Sequence, residues 1–333
     1  MAQTELEHGG RLRAAARRYG IAPNCWLDLS TGINPHPWPR PSIPDGVWQC
    51  LPDDEDGLIP GLRRTLDLGA EVGITPLAGS QAAIRLIPRL RHPCRVAVPA
   101  PGYAEHGLAW KAAGHEVTVV SADTIEQRLP EVDVLVWIQP NNPTGEIIPP
   151  ERLLQWHRQL VARDGWLLVD EAFIDVAPEA SLQTALGRPG LLVLRSLGKF
   201  FGLAGVRAGL LLGDAGLCRA LALDLGPWAV SGPARYLLGR ALADRAWQEP
   251  MRRRLRIASA RLQDLLAQKL GVATHGTDLF RYWPEPRAAE IQDALGREAI
   301  LVRRFEHPSA LRIGLPATEV GWARLADALE ALR

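Results

Sequence analysis

From about residue 79 the chain alternates between two patterns. RVAVPA (95–100), EVTVVS (116–121), VDVLVWIQP (132–140), GWLLVDEAF (165–173) and LLVLRSLGK (191–199) are short, nearly unbroken apolar runs that predict strands. GSQAAIRLIPRL (79–90), AEHGLAWKAAG (104–114) and PERLLQWHRQLVARDG (150–165) predict helices between them, and the second stops at a glycine suited to a C-cap. Strands apolar on both faces and alternating with helices imply an α/β chain built on a mostly parallel sheet covered on both sides. In such sheets ligands sit beyond the carboxyl ends of the strands.

The flanks read differently. Residues 10–19 predict a helix. LDLSTGINPHPWPRPSIPDG (27–46) is rich in proline and glycine and reads as an extended loop. A loop of this length is more often functional than idle. After about residue 216, SGPARYLLGRALADRAWQEPMRRRLRIASARLQDLLAQKL predicts long amphipathic helices, followed by short strands near 300 and 311 and a closing helix, EVGWARLADALEAL. The expected division is a large domain, 46–215, and a second, smaller α+β domain formed by 1–45 and 216–333.

With 333 residues, 47% of them hydrophobic, the chain has ample material for a core. A net charge of +1 gives no bulk attraction to nucleic acid or to an acidic membrane. Cys25, Cys50, Cys94 and Cys218 are scattered, with no CxxC pair. They are expected to be buried or semi-buried free thiols in a reducing cytoplasm, and no metal site is expected. MAQTELEHGGRL has no apolar core of a signal peptide, and no run long enough to span a membrane is present.

Chemistry concentrates after the strands. VDVLVWI leads into QPNNPTG, GWLLV into DEAF, and LLVL into RSLGKFFGLAGVRAG. Singly, each has an ordinary reading: Asp170 as a helix cap, Asn142 as part of a turn, Lys199 as a solvated lysine. Lys199 is one of only three lysines in the chain. Jointly, all would converge at one edge of one sheet. An amine near buried rings is a nucleophile toward a carbonyl. Serine and arginine on one loop suit a phosphate. A carboxylate can hold a pyridinium proton, and an asparagine can donate to a phenolate. These are the requirements of pyridoxal phosphate. The dinucleotide fingerprint GxGxxG follows no early strand, which argues against a dehydrogenase.

The set SLGK…R, DEAF and NNPTG resembles the aspartate-aminotransferase-like, fold-type I pyridoxal-phosphate enzymes, over most of the chain. The resemblance implies a three-layer architecture and a homodimer with pyridoxal 5'-phosphate as cofactor. It implies Lys199 and Asp170 as catalytic residues, the first attaching the cofactor aldehyde and the second pairing with the ring nitrogen. Asn142 would bond the ring oxygen, and Ser196 and Arg207 the phosphate. Ser80 and Gln81 match the phosphate-cradling turn, and Tyr103 the ring-stacking aromatic. Phe173 departs from the family, where a tyrosine is common. The fold does not fix the reaction. EHGGRL followed by D-x-S-x-x-I-N-P is similar to the branch that decarboxylates a phosphorylated amino acid, rather than to the alternative, a histidinol-phosphate-type aminotransferase branch. By that resemblance His8, Gly9, Asn34, Arg303 and Arg312 bind a small phosphorylated amino-acid substrate. Arg312 would take the carboxylate and Arg303 the phosphate, with Arg304 next to it as the competing candidate. LPDDEDG (51–57) stands where relatives carry YPD-x-x-Y, without either tyrosine.

Overall fold

The computed structural model describes residues 8–332. Its contacts cluster into two units. One holds 37–142 and 146–250; the other holds, of the described residues, 8–36, Pro143–Gly145 and 251–332.

The first unit is built on a seven-stranded sheet. Its order is Val72–Leu77, Gly209–Asp214, Leu191–Ser196, Trp166–Asp170, Val134–Ile138, Arg95–Pro99, Glu116–Val120. Five of the seven are the strands predicted from the apolar runs, and all five pair in parallel. The sheet is mostly parallel, as expected of an α/β chain. Leu135, Val136, Leu167, Leu192 and Val193 are 0–1% exposed, which is why their runs show no alternation. Each such leucine contributes roughly 2 kcal/mol by leaving water.

Two strands escaped the pattern. Gly209–Asp214 runs antiparallel to both neighbours and lies inside a glycine-rich stretch that does not read as a strand. Val72–Leu77 carries Pro76 and sits at the sheet edge, the place where a missing N–H is tolerated.

The second unit contains a four-stranded antiparallel sheet of order Arg303–Phe305, Ala310–Gly314, Phe280–Pro284, His275–Thr277. A short parallel pair, Leu27–Asp28 with Ile300–Leu301, ties the early chain to it. The early helix, Leu12–Tyr19, ends at Gly20 with φ 69°, a left-handed cap that glycine adopts without strain.

The boundaries differ from the expected ones. Helices Ala215–Leu225 and Gly232–Ala243 lie with the first unit rather than the second, packing on Val72–Leu77 and on Leu58–Thr65. The division near 216 therefore moves to about 250. Residues 37–45 also belong with the first unit, where Trp38 N–H donates to Phe201 O at 2.9 Å and the Trp38 indole to Asp244 at 2.9 Å. A change from strands to helices in sequence is not a change of core.

All four cysteines are free. Cys218 is buried and its thiol is pushed up to about 12 by that burial. Cys94 is half-buried, whereas Cys25 and Cys50 are exposed, contrary to the expectation for those two. No helix among the described residues is long and apolar enough to cross a membrane.

Candidate active site

In the first unit the antiparallel strand gathers the site. Gly209 pairs with Leu77 on one side and with Ser196 on the other. Three chain segments therefore come flush at one sheet edge: the turn after Leu77, the end of Leu191–Ser196, and the approach to Gly209. They bring Ser80, Ser196 and Arg207 together. A Cβ on Gly209 would stand 2.6 Å from Arg195 O and 3.1 Å from Ser80 N, so only glycine allows this convergence. Gly79 has φ +79°, and a Cβ there would lie 2.5 Å from Arg207 Nη2. Arg207 is itself left-handed, φ 55°, which costs a non-glycine residue roughly 1 kcal/mol or more. Strain of this kind persists where the surroundings over-determine it.

Asp170 ends the neighbouring strand and is 4% exposed. Its Oδ2 accepts from His106 Nε2 at 2.9 Å and its Oδ1 from the Ala172 N–H at 3.0 Å. A carboxylate only accepts, so the imidazole donates through Nε2. His106 is 1% exposed, and its Nδ1 has no hydrogen-bond partner. The ring meets Tyr103 edge-on, with centroids 6.1 Å apart.

Lys199 follows in the turn after Leu191–Ser196. Its Nζ lies 5.4 Å from the Phe173 ring centroid. The turn is anchored by Phe200 and Phe201, both 0% exposed and 5.1 Å apart, with Phe201 stacked on Trp247. Glycine-lysine followed by two phenylalanines is thus a fixed pedestal for one half-buried amine. Gln81 is engaged by its own neighbours: it donates to Glu105 at 2.9 Å and accepts from Tyr103 Oη at 3.1 Å. Its side chain orients Tyr103. Asn142 is half-buried in the loop after Val134–Ile138. Next to it, Asn141 donates to Pro101 O at 2.9 Å.

In the second unit Arg303 and Arg312 stand directly opposite on antiparallel strands. Directly opposed residues share a face. Arg303 also lies over the Phe305 ring, 5.2 Å away, whereas Arg304 pairs with Glu306 at 2.8 Å. Of the two adjacent arginines, Arg303 is the one aligned with Arg312. Arg312 is 5% exposed and donates to Ser30 O at 2.8 Å. Burial, and secondarily the charge of Arg303, pushes it down to about 9. Gly9 approaches the same carbonyl; a Cβ there would be 2.3 Å from Ser30 O. His8 precedes it and is exposed. Asn34 is 2% exposed and its Oδ1 accepts from His36 N–H at 2.8 Å, closing the turn around Pro35.

Three features were not assigned from sequence. His106 is one: it lies three residues beyond Tyr103, the spacing of one helical turn. A second is the buried set Arg195, Asp175 and Glu171 under the same strand ends, with Arg195 Nη2 2.5 Å from Asp175 Oδ1 and Nη1 3.8 Å from Glu171 Oε2. The third is Ser30, seen in sequence only as a motif letter.

A sheet edge carrying lysine, aspartate, serine and a strained arginine defines a class. Residues 60–329 match the family described as aminotransferase class I and II, and the chain belongs to that family. Within it, the chain is similar to the threonine-phosphate decarboxylase of Pseudomonas aeruginosa, 52% identical over 97% of each chain. It is likewise similar to that of a Sinorhizobium species, 40% identical over 97% of each. Among solved structures, a histidinol-phosphate aminotransferase from Sinorhizobium meliloti, crystallised with pyridoxal-5'-phosphate, superposes with a TM-score of 0.82 at 22% identity, covering 98% of this chain and 95% of that one. At that identity the likeness is one of fold.

Proposed function

We propose that this protein holds pyridoxal 5'-phosphate and decarboxylates L-threonine O-3-phosphate to (R)-1-amino-2-propanol O-2-phosphate. By resemblance that product serves the nucleotide loop of cobalamin. The observation that carries the choice of reaction is the match to threonine-phosphate decarboxylases over nearly the whole of both chains. The geometry alone would serve an aminotransferase equally well.

The residues fit the cofactor. The Gly79 turn leaves a cradle that a Cβ would close against Arg207, and Ser80, Ser196 and Arg207 at that edge offer hydroxyl and guanidinium donors to its phosphate. Asp170, held by His106 and the Ala172 N–H, keeps a proton on the ring nitrogen. Asn142 would donate to the ring oxygen, and is the surer partner there because Phe173, at a position where many relatives carry a tyrosine, has no hydroxyl. Tyr103, fixed by Gln81, packs on the ring face. Bound there, the group supplies an aldehyde that takes an amine and a conjugated ring that accepts the electron pair left behind by carbon dioxide.

Lys199 would provide the amine that holds the cofactor aldehyde, and the same Nζ would be the group that carries a proton to the substrate Cα. Arg312 holds the substrate carboxylate by its planar fork. Arg303, with His8, Gly9 and Asn34, holds the substrate phosphate. A homodimer and a cytoplasmic setting belong to the same reading. The test is to supply L-threonine O-3-phosphate and measure carbon dioxide. In parallel, histidinol phosphate is supplied with 2-oxoglutarate, and glutamate is measured. Carbon dioxide without glutamate is expected; glutamate without carbon dioxide overturns the reading in favour of the aminotransferase.

A further inference from the structure

Ser30 is 2% exposed and makes bonds in three directions. Its hydroxyl donates to Asp28 Oδ1 at 2.6 Å, and the same Oδ1 accepts the Ser30 N–H at 2.9 Å. A hydroxyl has one hydrogen, so that bond commits it and leaves Ser30 Oγ an acceptor. The acceptor is used: Gly10 N–H donates to Ser30 Oγ at 2.7 Å. The Ser30 carbonyl meanwhile takes Arg312 Nη2 at 2.8 Å. The Gly9 Cα stands so close to that carbonyl that any side chain there would collide with it.

One residue thus joins two pieces of chain that are 282 positions apart in the Arg312–Ser30 bond and 20 in the Gly10–Ser30 bond. The first is the buried guanidinium; the second is the turn that follows His8. Asp28 acts through Ser30 by fixing which way the hydroxyl points. It is itself held in the short parallel pair, opposite Leu301.

We infer that Asp28 and Ser30 are positioning residues, which register the His8–Gly10 turn against Arg312 and so set discrimination for a phosphorylated amino acid over its unphosphorylated counterpart. The inference rests on the substrate proposed above. Neither residue touches the substrate in this account; both act through the turn and the guanidinium.

The experiment uses cofactor-loaded full-length protein. Ser30→Ala removes the acceptor for Gly10 N–H and keeps the carbonyl that takes Arg312. KM for L-threonine O-3-phosphate is expected to rise about tenfold, with kcat within about twofold, since one buried hydrogen bond and the order it imposes are lost. Activity on unphosphorylated L-threonine should stay at its starting level, so the ratio of the two falls. Gly9→Ala, whose Cβ would meet the Ser30 carbonyl at 2.3 Å and so displace the turn, should do the same. Asp28→Asn retains an Oδ1 acceptor and should stay near the parent, whereas Asp28→Ala should follow Ser30→Ala. Unchanged KM in a folded, loaded Ser30→Ala protein overturns the inference and leaves the decarboxylase reading standing. If the parent protein itself releases no carbon dioxide from threonine phosphate, the decarboxylase reading falls instead. The positioning role is then decided by calorimetry with inorganic phosphate: weaker binding in Ser30→Ala supports it, and equal binding refutes it.

Discussion

The sheet edge of the first unit and the arginine pair of the second hold charge in opposite ways. At the sheet edge opposite or neutral partners surround each group: Asp170 accepts from His106 and from a backbone N–H, and Gln81 sits between Tyr103 and Glu105. In the second unit two cations face one another across a strand pair, and burial makes the inner one costlier still. Directly opposed like charges destabilise a sheet. The first region is preorganised around a resident group whose charges it already matches. The second sets two guanidinium-bearing residues at one register position, where a ligand with two anionic ends would meet planar forks rather than a matched pocket.

The largest expected effect separates the regions outright. Lys199→Ala should leave no borohydride-fixed mass of the cofactor on the chain and should lower carbon dioxide release by roughly three orders of magnitude or more. Intact-mass spectrometry and a carbon dioxide assay read these out. With pyridoxal 5'-phosphate added to fill the Ser80, Ser196 and Arg207 edge, binding of inorganic phosphate on the arginine side should be unchanged by calorimetry. A Lys199→Ala chain that still carries covalent cofactor sinks the assignment of the amine.

Arg312 tests the other region. Arg312→Lys keeps a charge but loses the planar fork, and KM for the phosphorylated substrate should rise about 10- to 100-fold, the worth of a charge-assisted hydrogen bond. The sign of the pH dependence follows from the lowered basicity. The guanidinium is charged below about 9 and loses its proton above it. Anion binding needs the charged form, so affinity is present below that pH and falls as pH rises through it. Steady-state kinetics from pH 7 to 10 should show kcat/KM falling on the alkaline side. A flat profile there would mean that Arg312 keeps its charge throughout the range.

The two regions were also unequally legible in the sequence. Lys199, Asp170 and Asn142 each follow an apolar run, and a parallel sheet places all strand ends of one direction at one edge; runs and their last residues sufficed. The strand Gly209–Asp214, which brings Arg207 back to that edge, was hidden because its glycines are there for close approach rather than for turning. In the second unit the useful fact is register. Arg303 and Arg312 are nine positions apart, and only antiparallel pairing shows them opposite, with Arg304 turned to Glu306. Asp28 and Ser30 stood in plain view as motif letters. Their role depends on hydrogen bonds to distant chain, which no local pattern encodes. The domain boundary slipped for a similar reason: helices 215–225 and 232–243 look like the start of something new, yet the first packs on the edge strand Val72–Leu77 and the second on the helix Leu58–Thr65 of the first unit.

The smallest effect is the finest test of the comparison. His106 gives Asp170 one of its two bonds and leaves Nδ1 without a partner. His106→Phe keeps an aromatic ring against Tyr103 and removes only the donor. Asp170 retains the Ala172 N–H, so the carboxylate stays in place with one hydrogen bond fewer, a loss of about 1 kcal/mol. That corresponds to kcat lowered about fivefold, with KM for the phosphorylated substrate within about twofold, because no substrate-holding group is touched. The visible absorbance of the bound cofactor should also change, since the partner of the ring nitrogen has lost a hydrogen bond. The same substitution made in a Ser30→Ala background should add to it without interaction, one acting on kcat and the other on KM. A KM effect from His106→Phe larger than its kcat effect would mean that the two regions do not divide the labour between reaction and recognition in this way.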